Sequence, residues 1–209
     1  MSPESTLDFT ATIDTIAESL RGDGWLVLPE FLPLPWCEVL LADCLARRAE
    51  FASAAIGRGN QRQHVSEQRR DATLWLSEAA PVQRDYLAAM DELRAEINRR
   101  LFLGLRDYEA HYAHYAPGAF YRRHRDAFAQ TQANAVASGS HGAPQRILTT
   151  VAYLNASVGG ELVIYRDEHE IARVTPAAGT AVFFLSAEFP HEVLPAQSDR
   201  YSISGWFRN

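Results

Sequence analysis

Two hydrophobic periods divide the chain near residue 105. Before it, apolar residues recur at steps of three and four. Ile13, Ile16, Ala17 and Leu20 share one face of a helix predicted over residues 10–21, which Asp23-Gly24 ends. Pro35 opens a second helix, predicted to run to about Phe51, with Val39, Leu40, Cys44 and Leu45 among its apolar positions. Pro81 opens the longest helix, predicted to end between residues 103 and 105, with Tyr86, Leu87, Met90, Leu93, Ile97 and Leu101 as its packing face. Short strands are expected at residues 25–28 and 73–76. After residue 105 the period moves toward two. Strands are expected at residues 109–115, 121–124, 146–154, 161–165, 170–174, 180–185, 191–193 and 201–207, with turn signals at Pro117-Gly118, Gly159-Gly160, Pro176 and Gly179. Helices first and many short strands afterwards predict an α+β chain: a double-stranded β-helix, or jelly-roll and cupin-like barrel, braced by N-terminal helices. A single domain is expected over residues 1–209, with mainly helical support in 1–105 and the barrel core in 106–209.

Two stretches break the pattern. GRGNQRQHVSEQRR, from Gly57 to Arg70, is polar, basic and interrupted by two glycines. It reads either as a solvated connection or as a mobile lid or recruiting finger. Residues 127–145 lack an apolar period and form a second long loop. Composition then narrows the function classes. The chain has 209 residues, 47% hydrophobic and 22% charged, enough for one domain with a sizeable core. A net charge of -6 argues against a nucleic-acid binder that relies on a broad basic face. Arg47, Arg48, Arg58, Arg62, Arg69 and Arg70 offer at most a local basic patch. Cys37 and Cys44 lie two helical turns apart, too far for a disulfide, so a reducing, cytoplasmic setting is expected. MSPESTLDFT has neither a positive region nor an apolar core of the secretory kind, and no apolar run reaches membrane-spanning length.

The candidate chemistry gathers in HYAHYAPGAFYRRHRD, from His111 to Asp126. In an extended chain, positions i and i+2 face the same way, so His124 and Asp126 project together and Arg125 turns away. These two ligands need a third, and His191 in FFLSAEFPHEV is the best candidate, although a histidine after Pro190 also reads as a surface turn residue. Two histidines and one carboxylate form a facial triad that selects non-haem Fe(II) and leaves coordination positions open. Other histidines fit less well. His111 and His114 face opposite ways in a strand, and His64, His141 and His169 sit in polar stretches. Arg200 opens the last strand and faces the same way as Ser202, Ser204 and Trp206. It is either a rim arginine paired with Asp199 or another surface acid, or an inward arginine that holds the carboxylate of an acid co-substrate. Tyr153 would add a hydroxyl to that carboxylate.

YAPGAFYRRHRD, VAYLN, GGELVIY, FFLSAEFPHEVLPA and DRYSISGWF occur in this order, with nine residues from His191 to Arg200. From about Trp25 to Trp206 the chain thereby resembles the Fe(II)/2-oxoglutarate-dependent oxygenases. Within them it is most similar to the prolyl-4-hydroxylase-like branch, that is, to the oxygen-sensing prolyl hydroxylases and their bacterial relatives. The resemblance implies that His124, Asp126 and His191 bind iron and that Arg200, assisted by Tyr153, holds the distal carboxylate of 2-oxoglutarate. It places Tyr115 near the co-substrate and Tyr121 in the pocket. It further implies that Trp206 packs by the substrate entrance and that Gly159, Gly160 and Leu162 form a close strand edge near the metal. It also implies that residues 57–71 match a loop that closes over a peptide, with Arg70-Asp71 and Trp75 at its exit and with Arg70 and Asp71 in the substrate pocket.

Implied with these are Fe(II), 2-oxoglutarate and O2, with ascorbate as a supporting reductant, and hydroxylation of a protein residue, above all proline. A protein or peptide is the expected partner, nucleic acid and membrane are not, and a monomer is expected with a homodimer as the alternative. Ala127 stands where the oxygen-sensing enzymes carry asparagine, and the following loop is longer than theirs. Both departures bear on substrate choice rather than on iron chemistry. Three other functions compete: hydroxylation of a free amino acid or other small metabolite, a noncatalytic cupin-like binding module, and a nucleic-acid oxygenase.

Overall fold

The computed structural model describes residues 7–53, 67–127 and 144–209. Three helices lie among them: α1 (Ile13–Gly22), α2 (Leu34–Ala46) and α3 (Pro81–Leu101). The strands are β1 (Trp25–Leu28), β2 (Ala52–Ser53), β3 (Ala72–Trp75), β4 (Asp107–Tyr115), β5 (Tyr121–His124) and β6 (Arg146–Tyr153). They continue as β7 (Leu162–Arg166), β8 (His169–Val174), β9 (Ala181–Leu185), β10 (His191–Val193) and β11 (Arg200–Arg208). They form a seven-stranded sheet in the order β1-β9-β6-β11-β4-β3-β2 and a four-stranded sheet in the order β5-β10-β7-β8, antiparallel throughout. Two antiparallel sheets of this kind are the jelly-roll arrangement.

Strand alternation divides the interior in two. Tyr112, Leu148, Phe183, Ile203 and Phe207 turn one face of the large sheet toward Ile16 and Leu20 of α1, Trp36 and Leu40 of α2, and Tyr86, Met90 and Ile97 of α3. Each fully buried side chain of this size contributes about 1.5–3 kcal/mol. The other face carries Ala113, Tyr115, Val151, Tyr153, Val182 and Phe184. It meets Leu162, Ile164 and Val193 of the small sheet in a second cluster. The candidate chemistry lies on this second face.

Element boundaries differ from expectation where the backbone turns early. The second helix stops at Ala46, not near Phe51, because Arg47 leaves helical geometry and a 3-10 turn follows at Arg48–Glu50. The third ends at Leu101 because Phe102 adopts the left-handed conformation, with φ 53°. Strand β2 was not anticipated, since two exposed residues carry no hydrophobic alternation. Cys37 and Cys44 are both buried and free, as expected. Most of the basic loop expected at residues 57–71, including His64, Arg58 and Arg62, lies outside the described residues, as does the loop segment 128–143 with His141. Among the described residues, no helix is long and apolar enough to cross a membrane.

Candidate active site

Register brings the first two candidate ligands together. His191 of β10 stands directly opposite His124 of β5, and their rings lie 4.3 Å apart. Asp126 follows just beyond the end of β5. Its Oδ1 is 3.5 Å from His124 Nε2 and its Oδ2 is 3.6 Å from His191 Nε2. One ligand atom from each of the three residues lies within 4.8 Å of the others, which is a distance suited to one shared cation.

The proton positions in this cluster also suit a metal. His124 Nδ1 lies 2.8 Å from the Arg122 carbonyl oxygen, and His191 Nδ1 lies 3.1 Å from that of Phe189. A carbonyl oxygen only accepts, so each ring carries its proton on Nδ1 and turns a bare Nε2 toward Asp126. Burial and the neighbouring His124 lower the His191 pKa to about 4, which keeps this ring neutral near pH 7. Burial by itself would raise the Asp126 pKa, but in acid, where the imidazoles are cationic, His191 and His124 outweigh it and hold the carboxyl well below the usual carboxylate range. An ionised carboxylate beside a neutral imidazole is the donor state that a divalent metal requires. Sequence reading did not find the two orienting carbonyls, because backbone atoms leave no residue signature.

A further support is Thr149 of β6. Its hydroxyl donates to Asp126 Oδ2 at 2.9 Å and pairs with Ser186 Oγ at 2.8 Å. Thr149 is 1% exposed, so this bond is shielded from water. Thr149→Val removes the donor and keeps the shape. It is expected to weaken Fe(II) or Mn(II) binding about 10–100-fold, as read by metal titration of the apo protein. Unchanged metal affinity would show that the hydroxyl does not support the carboxylate.

Arg200 begins β11 and is 1% exposed. The alternative of a rim arginine paired with Asp199 is excluded by this burial, and Asp199 instead accepts His114 Nε2 at 2.6 Å. The guanidinium lies over the rings of Tyr115 and Tyr153, 4.6 Å and 5.0 Å from their centroids. Its Nη1 donates to Ser202 Oγ at 3.3 Å. Arg200 Nε and the Tyr153 hydroxyl have no hydrogen-bond partner among the described residues. Burial raises the Tyr153 pKa against the pull of Arg200, so the phenol remains a donor. A buried cation with no acid partner is costly unless an anion meets it. Gly160 packs against the stem of this arginine, at φ +71°, where a Cβ would come within 2.9 Å of Arg200 Cδ. Gly160 therefore shapes the arm of Arg200, while Gly159 lies against the backbone of Pro195 and Gln197.

The remaining expected residues fall into two groups. Tyr121 stacks on the His124 ring at 3.5 Å, and Arg69 lies 4.2 Å above Tyr121. Arg69 also holds the buried Asp71 through two hydrogen bonds, Nε to Oδ1 at 2.7 Å and Nη2 to Oδ2 at 2.5 Å. Arg70, the residue expected to share the pocket with Asp71, is exposed and lies over Phe120 instead. The one-residue change follows from the bridge between Arg69 and Tyr121, which turns Arg69 inward and its neighbour out. Trp206 lies 5.2 Å from His111 and 6.2 Å from the half-exposed Trp75, with the Arg146 guanidinium 3.5 Å above its ring. Trp75, His111 and Arg146 thus extend the Trp206 side of the site into an aromatic shelf. His111 and Arg146 were not among the expected site residues.

Burial, with Arg69 and Arg146 nearby, lowers the His111 pKa to about 4, against a smaller opposing pull from Asp71. The unfolded chain takes up this proton near pH 6.5 and the folded protein only near 4. The stabilisation is therefore complete above about pH 6.5 and is lost as pH falls toward 4, by about 3 kcal/mol. His111→Gln is expected to flatten that part of the stability profile in urea unfolding between pH 7 and 4.5. An equal acid loss in both proteins would refute the assignment. His191 titrates in both, so the difference isolates His111.

The model of the 2OG-Fe(II) oxygenase superfamily matches residues 110–208. The crystal structure of a prolyl-4-hydroxylase from Pseudomonas putida is similar at 39% identity and a TM-score of 0.79, covering 94% of this chain and 98% of that one. The chain belongs to the 2OG-Fe(II) oxygenase superfamily. Within the superfamily, this oxygenase falls in the prolyl-hydroxylase-like branch. Two more distant structures share its fold. One is a prolyl hydroxylase from Trichoplax adhaerens in complex with a hypoxia inducible factor oxygen degradation domain peptide fragment. It has 22% identity and a TM-score of 0.76, covering 94% and 89% of the two chains. The other is a viral collagen prolyl hydroxylase from Paramecium Bursaria Chlorella virus-1, with 20% identity and a TM-score of 0.64, covering 90% and 97%. No curated protein matches the chain at a significant level.

Membership makes the oxygenase an oxidoreductase that uses Fe(II), 2-oxoglutarate and O2. The residues present fit these groups. The two bare imidazole nitrogens and the carboxylate suit Fe(II). The partnerless Arg200 Nε and Tyr153 hydroxyl suit a carboxylate.

Proposed function

We propose that the oxygenase hydroxylates a protein residue, namely proline at C4, with succinate and CO2 as co-products. In this reading His124, Asp126 and His191 hold Fe(II). Arg200, Ser202 and Tyr153 hold the distal carboxylate of 2-oxoglutarate. Bound Fe(II) supplies the redox chemistry: one atom of O2 enters 2-oxoglutarate as it loses CO2, and the other enters a substrate C–H bond. The chain's own residues perform the rest. The Arg122 and Phe189 carbonyls hold the imidazole protons away from the metal, and Thr149 orients Asp126. The guanidinium of Arg200, buried between two tyrosine rings, fixes the co-substrate without reorganisation at each turnover. Asp126 and the histidines act as ligands, not as general acids or bases.

The observation that carries the reading is a three-residue cluster able to hold a metal ion, together with a buried arginine that has no acid partner among the described residues. A protein substrate is supported by the half-exposed indole of Trp75, an apolar surface packed on the buried His111 and Trp206. Proline is supported by the 39% identity to a prolyl-4-hydroxylase. The helices that close the large sheet we read as its brace, within one oxygenase domain that acts in the cytoplasm. The test is an anaerobic pull-down with Fe(II) and 2-oxoglutarate, then oxygen exposure and mass spectrometry of captured proteins. A gain of one oxygen on a proline, matched by succinate, is expected. Robust hydroxylation of a free amino acid with none on captured protein would replace this reading with a metabolite hydroxylase.

A further inference from the structure

Arg200 stands where the ladder of the large sheet thins out. On one side β4 pairs with it fully, Arg200 opposite Tyr115 and Tyr201 opposite His114. On the other side β6 pairs with β11 only from Ser202, opposite Tyr153. One more backbone bond follows, from the Leu154 N–H to the Tyr201 carbonyl at 3.0 Å. Beyond it the backbone from Asp199 to the Tyr201 N–H has no strand partner on that side among the described residues. The side chain of Asn155 takes the place of one. Its Oδ1 accepts the Tyr201 N–H at 2.7 Å, and its Nδ2 donates to the Asp199 carbonyl at 2.9 Å. A single amide thus joins the two peptide groups on either side of Arg200. From the β4 side, His114 Nε2 holds the Asp199 carboxylate at 2.6 Å and stacks its ring on Tyr201 at 4.5 Å.

We infer that Asn155 is a positioning residue for Arg200, and that its side-chain amide sets the affinity for the 2-oxoglutarate carboxylate without touching it. This rests on the proposed role of Arg200. Arginine has a long side chain, so a small rotation of the backbone at residue 200 moves the guanidinium a large distance. Among the described residues Arg200 Nε has no hydrogen-bond partner, and Nη1 meets the Ser202 hydroxyl. The two tyrosine rings and Gly160 confine the far end, and the direction in which the side chain leaves the backbone is set at its root, where Asn155 acts. The chelating end of the co-substrate depends on the triad instead and should be indifferent to Asn155.

The test compares two ligands of the Mn(II)-loaded protein by calorimetry. N-oxalylglycine carries both the chelating end and the distal carboxylate of 2-oxoglutarate, whereas oxalate carries only a chelating end. Asn155→Ala is expected to weaken N-oxalylglycine about tenfold, the scale of a misplacement smaller than 1 Å, and to leave oxalate within about twofold. In turnover, KM for 2-oxoglutarate should rise with kcat preserved. Should Asn155→Ala fail to fold, Asn155→Asp keeps the acceptor for Tyr201 and loses the donor, and an intermediate selective loss is expected. Unchanged N-oxalylglycine affinity overturns the inference, and so does an equal loss for both ligands, which would mark general loosening. Arg200→Gln serves as the reference. If it too leaves N-oxalylglycine binding unchanged, the co-substrate reading itself fails. If only Arg200→Gln weakens binding, the role of Asn155 alone is refuted.

Discussion

Asp126→Ala is expected to abolish turnover, with 2-oxoglutarate decarboxylation and substrate hydroxylation each falling by at least about 10³-fold, roughly 4 kcal/mol of transition-state stabilisation. The carboxylate is the one anionic member of the cluster, and two imidazoles by themselves leave a divalent charge uncompensated. The thermal stabilisation that Mn(II) gives the apo protein should vanish with it. Loss of activity through misfolding is separable from this. The Asp126 side chain contacts the two histidines and Thr149 just past the end of β5, so its removal opens no apolar cavity. The variant without metal should unfold at a temperature close to that of the wild-type apo protein. Wild-type decarboxylation by Asp126→Ala would refute the metal site.

Arg200→Gln should raise KM for 2-oxoglutarate about 100-fold, since a hydrogen-bonded charge pair of this kind contributes up to about 3 kcal/mol. The effect on stability should have the opposite sign. In the folded protein without ligand, the guanidinium is 1% exposed and meets one hydroxyl, Ser202, among the described residues. Its Nε is unsatisfied. Removing an uncompensated buried charge relieves a desolvation cost. The apo variant should therefore melt at or above the wild-type temperature, while the extra stabilisation given by 2-oxoglutarate disappears. A wild-type KM in this variant would refute the carboxylate role of Arg200. A lower apo melting temperature with an intact ligand response would mean that Arg200 serves packing only.

The fate of particular residues separates what local pattern decides from what it does not. Period-two alternation placed His124 and Asp126 on one side of the chain, and Arg200 with Ser202 and Trp206 on the inner face of the last strand. It also set the extents of β1, β5 and β10. These follow from the sequence by itself, because strand geometry depends on neighbouring residues and fixes side-chain direction two positions at a time. The helical apolar stripes likewise delivered Ile13, Ile16 and Leu20 to one buried face. Other features required the folded chain. The pairing of β10 with β5 sets His191 against His124, and the bridge of Arg69 to Tyr121 sends Arg69 inward in place of Arg70. The carbonyls of Arg122 and Phe189, the Thr149 hydroxyl and the amide of Asn155 act on partners at most two residues away in some cases and tens of residues away in others. Arg122, Phe189 and Asn155 stand inside the motifs that carry the resemblance, but nothing in those motifs names the atom that each one meets. Register and hydrogen-bond partnership are non-local, so residue spacing along one strand carries no information about which atom faces it from the next.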